Sequence, residues 1–351
     1  MANNPPAAAG FTARTGTWQR RMLRFAKLVG LTVTDVRPGA ALLSRSGNYR
    51  VDQLAEDRAY LVTNRRQGGQ VRRHRLNEQA WLVAAETPDA AVVDVAKVGP
   101  RGWFVAERDT STMADLHLET QTMKHLAAKH TAWLLRRFGV DCVIDVGANT
   151  GQFAQELRAH GFRGHIVSFE PVPDFVEQLE KLSADDDRWS VRQVALGSTE
   201  GTIPIRVQHS LSSALTATEY GRGRFVSLRE FAGTEPIEVP LRRLDGMLDE
   251  LLEPVVASGI ERPRVFLKMD TQGFDLEVFR GLGDRVEELV GLQSEVALLL
   301  IYEQMPRMQE AIGTYEAAGF EITGLFPVTR ERDGRVIEYD CMMVRPSALP
   351  A

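Results

Sequence analysis

The pattern of apolar and polar positions changes character near residue 110. Beyond it, apolar runs of strand length alternate with segments of helical period, the rhythm of a parallel sheet covered by helices on both faces. Strands are predicted at residues 142–146, 165–169, 190–196, 265–269, 292–300, 321–326 and 337–344. Between them, "GQFAQELRAHG", "DFVEQLEKLSA", "DLEVFRGLGDRVEEL" and "MPRMQEAIGTYEAAGF" read as helices, with Gly161 and Gly319 as C-terminal stops. Residues 201–262 break the rhythm. There "GTIPIRVQH" and "EPIEVPLRRL" predict an inserted hairpin and a linking strand. Ahead of the first strand, "MADLHLETQTMKHLAAKHTAWLLRRFG" places Met123, Leu126, His130, Trp133 and Leu134 on one helical face, with Gly139 as the stop.

Residues 1–110 lack that rhythm. An Ala/Pro-rich tail and a short basic amphipathic pattern precede hairpin-like pieces around "RRQGGQVRRHR" and "VAKVGPRGWFVA". The reading is an α/β chain: a small N-terminal α+β accessory region (1–110), a linking helix (111–139) and a doubly wound, Rossmann-like domain (140–348).

Composition narrows the classes. The 351 residues are 44% hydrophobic and 25% charged, with a net charge of −5, so no basic field recommends nucleic acid as partner. No apolar run has membrane-spanning length, and "MANNPPAAAGFTARTGTW" lacks the regions of a secretory signal. A cytoplasmic protein with no membrane partner is expected. The two cysteines, Cys142 and Cys341, lie in strand-like runs and exclude a disulfide framework or a Cys-based zinc site. An excess of Arg over Lys, with abundant Ala and Val, hints at a GC-rich bacterium.

The first strand-to-helix turn of the domain, "CVIDVGANTG", is the usual ligand contact in an open α/β sheet. Gly147 and Gly151 allow close backbone approach, and N–H groups opening the next helix face the crevice. Asn149 stands where a dinucleotide fingerprint needs glycine, which disfavours a pyrophosphate. Asp145 at the strand end suits an ammonium or sulfonium group instead. The second strand ends in "SFEP", where Glu170 can accept from two ribose hydroxyls and Pro171 stops the strand. Together these describe a nucleoside ligand without pyrophosphate, and S-adenosylmethionine fits. Phe153 and Ala195 join Asp145, Gly147, Asn149, Gly151, Glu170 and Pro171 as expected cofactor contacts.

The segments "VIDVGANTGQF", "FEPV", "ALGS", "LKMDTQGFDLEVFRGL", "QSEV" and the closing "DCMMVR" resemble the FkbM-type family of S-adenosylmethionine-dependent methyltransferases over about residues 136–346. The resemblance implies a class I methyltransferase fold and O-methylation of a small hydroxylated acceptor, with sugars, glycans and polyketide-type molecules as candidates. Many members carry Lys-Ile-Asp-Val-Glu-Gly where this chain has Gln272, so a role for that Glu as base or metal ligand does not transfer.

Methyl transfer to a hydroxyl needs in-line alignment and a proton acceptor. Asp270, ending "VFLKM", is the first candidate base, with capping of the next helix as the plainer alternative. His209 in "VQHSLSSAL" is the second. Ser212, Ser213 and Glu295 are candidate acceptor contacts. Lys268, inside an apolar strand, needs a partner, and Asp270 or Glu295 is expected. No metal-ligand spacing stands out; Asp270, Asp275 and Glu295 are the residues that would hold Mg²⁺, a weak prospect. Arg65, Arg66, Arg72, Arg73 and Arg75 form a basic run suited to an anionic acceptor, a carrier protein, a second subunit as in a homodimer, or to plain solvation. Two rival readings remain: a non-catalytic nucleoside-binding protein of the same fold, and a dinucleotide-dependent oxidoreductase.

Overall fold

The computed structural model describes strands between residues 32 and 108 by their backbone, and residues 112–208, 211–230 and 233–350, with side chains from residue 122 onward. The chain divides into two compact units, Met1–Ser111 and Thr112–Ala351. No helix among the described residues is long and apolar enough to cross a membrane.

The described part of the first unit consists of antiparallel strand pairs: β1 (Thr32–Arg37) with β2 (Ala40–Ser44), β3 (Tyr49–Ala55) with β4 (Ala59–Asn64), β5 (Gln70–Arg75) with β6 (Trp81–Glu86), and β7 (Val92–Val98) with β8 (Gly102–Arg108). The β7–β8 pair is the hairpin read from "VAKVGPRGWFVA". Of the segment "RRQGGQVRRHR", residues 70–75 form β5, which pairs antiparallel with β6, and residues 65–69 lie outside the described residues. The Ala/Pro tail and the basic amphipathic pattern lie outside the described residues, as do Arg65 and Arg66.

The second unit opens with α1 (Thr112–Arg137) and is built on a seven-stranded sheet. Its strands are β9 (Cys142–Val146), β10 (His165–Phe169), β11 (Trp189–Arg192), β15 (Val265–Met269), β16 (Leu289–Ala297), β17 (Glu321–Arg330) and β18 (Val336–Val344). Their spatial order is β11-β10-β9-β15-β16-β18-β17. β11, β10, β9, β15 and β16 run parallel, while β18 inserts antiparallel between β16 and β17. The order reverses between β9 and β15, which opens a crevice beyond their carboxyl ends. Between the parallel strands run α2 (Gln152–Ala159), α3 (Pro173–Ser183), α6 (Leu248–Ala257) and α7 (Asp275–Arg280); α8 (Met308–Ala317) leads into β17. One face buries Ile144, Leu267, Leu292 and Met343 against α6 to α8; the other buries Val143, Ile166, Phe266 and Met342 against α1 to α3.

Three expectations shift in the structure. The run at 190–196 is two strands: the Val194 N–H bonds back to Arg192 O at 3.0 Å, a tight turn that ends β11 and sends β12 (Ala195–Leu196) into a second sheet. There β12 lies beside β14 (Ile237–Arg242), which pairs antiparallel with β13 (Gly201–Ile205), the expected hairpin. The insertion also holds helices: α4 (Glu219–Arg224), α5 (Val226–Glu230) and α6. The apolar spacing of Leu248, Leu251, Leu252 and Val255 marks α6 in the sequence, and the helix tolerates Pro254 inside it. Third, α1 turns a different face to the sheet. Ala127, Thr131, Leu134 and Leu135 are buried, whereas Leu126 and Trp133 are 45% and 51% exposed. Small side chains let α1 lie close over the sheet, and His130 stacks on Trp133 and meets Thr323 Oγ1 at 3.0 Å.

Candidate active site

A cavity of about 420 Å³ sits at the carboxyl ends of β9, β10, β15 and β16 and runs beneath α1. Its size suits a ligand of nucleoside dimensions with a small partner.

Beneath the cavity lies a polar layer whose origin is visible in the register, and Lys268 and Gln293 are its members on the cavity wall. Ser168, Asp145, Lys268 and Gln293 lie directly opposite one another across β10, β9, β15 and β16, a polar row through otherwise apolar strands. Lys268 Nζ lies 2.9 Å from Asp145 Oδ1, 3.5 Å from Asp270 Oδ2 and 3.2 Å from the Gly147 carbonyl, and 5.3 Å over the Phe153 ring. Burial disfavours this ammonium, but the Asp145 and Asp270 carboxylates outweigh it and hold Lys268 protonated above the ordinary lysine range. The expected pairing of Lys268 with Asp270 is therefore present as the longer contact, and the shorter one is to Asp145, not Glu295. This places Asp145 differently from its sequence reading. Its carboxylate is fully buried, lies off the cavity wall and faces Lys268, leaving it no access to a ligand cation.

The glycine turn is also built more for packing than for ligand approach. Gly147 has φ 76°, and a Cβ there would meet the Asp270 carbonyl oxygen at 2.0 Å, so glycine is what lets the β9 and β15 turns touch. Gly151 (φ 87°) sits against Leu179, Leu182 and Trp189, off the cavity wall. Asn149, at φ 49°, gives its N–H to Glu170 Oε2 at 2.8 Å, and Val172 N–H reaches Glu170 Oε1 at 3.0 Å. Each Glu170 oxygen keeps an acceptor site beyond these bonds. Burial pushes the Glu170 carboxyl up to about 7, against the pull of those two N–H donors. Gly147, Asn149, Phe153, Glu170, Pro171 and Ala195 all line the cavity, with Leu196, Ile203 and Ile205 of the second sheet adding an apolar wall.

At the other end, Asp270 exposes 42% of its side chain on the same wall. It does not cap α7, whose N-cap is Phe274 with no side-chain cap bond; Asp275, the first residue of that helix, has a carboxylate that accepts from Thr271 N and Oγ1, Ser294 Oγ and the Glu295 N–H. With four donors on it, Asp275 has no place in the magnesium set considered from sequence, and among the described residues no group of three or more His, Cys, Asp or Glu has metal-holding geometry. Glu295 lines the cavity and accepts from Gln272 Nε2 at 2.9 Å. Burial first, then Glu338 and Asp270, lift its carboxyl well above the usual range. Ser212 and Ser213 both reach the wall, but the buried Ser213 donates to Gln272 O at 2.8 Å and accepts from Leu215 N–H at 3.0 Å. Its hydroxyl fastens the chain at residues 213–215 to the turn after β15. His209 lies outside the described residues.

Sequence reading singled out Gln272 only as a departure from the family pattern, and it missed Gln293 and Asp340. Gln293 Nε2 donates to Asp340 Oδ1 at 3.3 Å, and burial pushes the Asp340 carboxyl up to about 7. The signal was present in "VIEYDCMMV", where Glu338 and Asp340 fall on one face of an apolar strand.

The sheet order, the reversal at β9/β15 and a carboxylate-walled cavity at that point define the Rossmann-like class I methyltransferase architecture. Within that class the chain belongs to the FkbM methyltransferase family, whose domain model matches residues 145–322. A relative, the methyltransferase sdnD of Sordaria araneosa, is 30% identical over 163 residues; the match covers 42% of this chain and 62% of that protein. Among solved structures, the magnesium protoporphyrin IX methyltransferase of Synechocystis PCC 6803 with bound SAM aligns at 9% identity over 68% of this chain and 86% of its own, with a TM-score of 0.35. The precorrin-6y C5,15-methyltransferase of Geobacter metallireducens GS-15 aligns at 11% identity over 62% and 86%, with a TM-score of 0.32.

Proposed function

We propose that the cavity binds S-adenosylmethionine and that the chain moves its methyl group to a hydroxyl of a small acceptor, such as a sugar, glycan or polyketide-type molecule. One observation carries the reading: Glu170 and Asp270 stand on the walls of a single cavity at the switch point, one beside the glycine turn and one on the side towards Glu295. Glu170, braced by two backbone donors, offers its remaining acceptor sites to ribose hydroxyls. Phe153, Pro171 and Ala195, with Leu196 and Ile203, supply the apolar contact an adenosine needs.

The donor supplies an electrophilic methyl on a sulfonium, whose departure needs no acid. What the chain must add is orientation and a proton acceptor. Asp270 has the exposure to take a hydroxyl proton at Oδ1 or Oδ2. Lys268, buried beneath it, keeps a fixed positive charge 3.5 Å from that carboxylate and ties the β9 and β15 turns together through Asp145 and Gly147 O.

Calorimetric titration with S-adenosylmethionine and S-adenosylhomocysteine, with NAD as control, tests the reading. Micromolar binding of both sulfur ligands and no response to NAD are expected. Binding of NAD in their place would move the chain to dinucleotide chemistry. Tight donor binding without turnover on a broad hydroxyl panel would reduce it to a nucleoside-binding protein. Asp270→Asn is expected to keep donor affinity and lose at least about 100-fold in turnover, the usual worth of a general base.

A further inference from the structure

Gln272 follows Asp270 by two residues and holds an unusual place: left-handed backbone (φ 53°), 7% exposed, on the cavity wall. A primary amide nitrogen has two protons, and both are engaged. One goes to Glu295 Oε2 at 2.9 Å and the other to Asp270 Oδ1 at 3.3 Å. The amide orientation follows from those two acceptors, since turning the group over would set its oxygen against both carboxylates. Tyr302 Oη lies 3.4 Å from Oε1 but gives its proton to Leu211 O at 2.7 Å, and the Gln272 carbonyl is held by Ser213. The side chain is thus fixed at both ends.

We propose that Gln272 is a positioning residue for methyl transfer: its single amide nitrogen holds Asp270 and Glu295 side by side on the acceptor end of the cavity. The inference rests on the reading of Asp270 as the proton acceptor. Two acid groups served by one amide nitrogen need donors rather than a further acceptor, for burial and the neighbouring Asp270 carboxylate already hold the Glu295 carboxyl well above the usual range, and a further negative charge beside them would turn the side chains apart. An amide meets the need without adding charge. Lysine would neutralise the pair, and glutamate would bring a third acceptor to a place requiring donors. Gln272 thereby fixes the direction of the Asp270 carboxylate while leaving Oδ2 to Lys268 and the cavity. The groups that face this cluster are Lys268 of β15, Asp275 of α7, Glu338 and Asp340 of β18, Lys124 of α1 and Tyr302.

The test uses the full chain, with melting temperature measured from pH 5 to pH 8 for wild type, Gln272→Glu and Gln272→Met, and S-adenosylhomocysteine titrated as a separate readout. Gln272→Glu is expected to melt at least about 4 °C below wild type at pH 8 and to recover most of that deficit at pH 5, where a protonated carboxyl again donates. Gln272→Met, which has the shape without the donors, is expected to show a deficit that also shrinks toward pH 5, as a protonated Glu295 carboxyl donates in place of the amide. Homocysteine-nucleoside affinity should stay within about twofold in both. On any accepted hydroxyl compound, turnover should fall about tenfold or more with a displaced pH profile and little change in donor KM. A deficit of equal size at every pH in both variants means a merely structural side chain and overturns the proposal, as does Gln272→Glu melting like wild type at pH 8. Failure of wild type to bind the nucleoside would overturn the function proposed above, while leaving the melting comparison to decide the bridge.

Discussion

Glu170 and Asp145 both read from sequence as strand-end acids facing the ligand, one for the ribose and one for a cation, and their surroundings separate them. Asp145 is sealed beneath the turn by Lys268, whereas Glu170 has two backbone donors and an open side. Removing Glu170 by Glu170→Ala should weaken S-adenosylhomocysteine binding by about 2–4 kcal/mol, the worth of charge-assisted bonds to a ribose, read by calorimetry. The pH dependence has a definite sign. Burial holds the free carboxyl at about 7, and ribose hydroxyls prefer the ionised form, so affinity should fall about tenfold from pH 8 to pH 6 as the carboxylate must first lose a proton. Glu170→Gln should abolish that slope. A flat profile in wild type would place the ribose elsewhere.

At the scale of elements, Gly147 and Gly161, two of the three left-handed glycines of the β9–α2–β10 segment, have different reasons to be glycine. Gly147 is pressed on the Asp270 carbonyl, while Gly161, at φ 87°, has nothing within 4 Å of its missing Cβ. Gly161→Ala should therefore cost only the backbone preference, about 1–2 kcal/mol. Gly147→Ala must also force the β9 and β15 turns apart, for on the order of 4 kcal/mol or more together with loss of ligand binding. Urea unfolding of the two variants checks the difference, and equal costs would refute the tight contact. Helix α1 offers a parallel comparison. Leu134, 1% exposed, should cost about 2–5 kcal/mol when cut to alanine. Leu126, 45% exposed, should cost under about 0.5 kcal/mol by the same measurement.

For the whole second unit, the cluster of buried acids makes stability depend on pH in the direction opposite to ordinary acid unfolding. Burial pushes Glu170, Glu338 and Asp340 each up to about 7 from 4.5, 4.5 and 3.8. Between those ordinary values and about 7 the folded chain keeps protons that the unfolded chain releases, so this contribution is full in acid and lost as pH rises through 7. His130 and His165, held low by burial, act oppositely, but chiefly below their ordinary 6.5. Melting temperature should therefore fall from pH 6.5 to pH 8, and fall less in Asp340→Asn. A variant as steep as wild type would remove Asp340 from the account.

What the sequence by itself determined was whatever depends on period and local chain chemistry. The alternation of apolar runs and helical segments carried the doubly wound class, and "CVIDVGANTG", "FEP" and the "LKMD" block carried the glycine turn, Glu170 and Asp270. The tertiary structure decided which carboxylate is free and which is used. Sheet register set Lys268 against Asp145 and so took Asp145 out of the cavity. One i→i+2 turn at Val194 sent β12 to another sheet, and small residues on α1 reversed the face expected from its large ones. Gln272 became legible only when a left-handed turn brought its amide between two acids distant in the chain. Period is a local property that one chain segment displays alone; pairing, burial and shared protons belong to groups that only folding brings together.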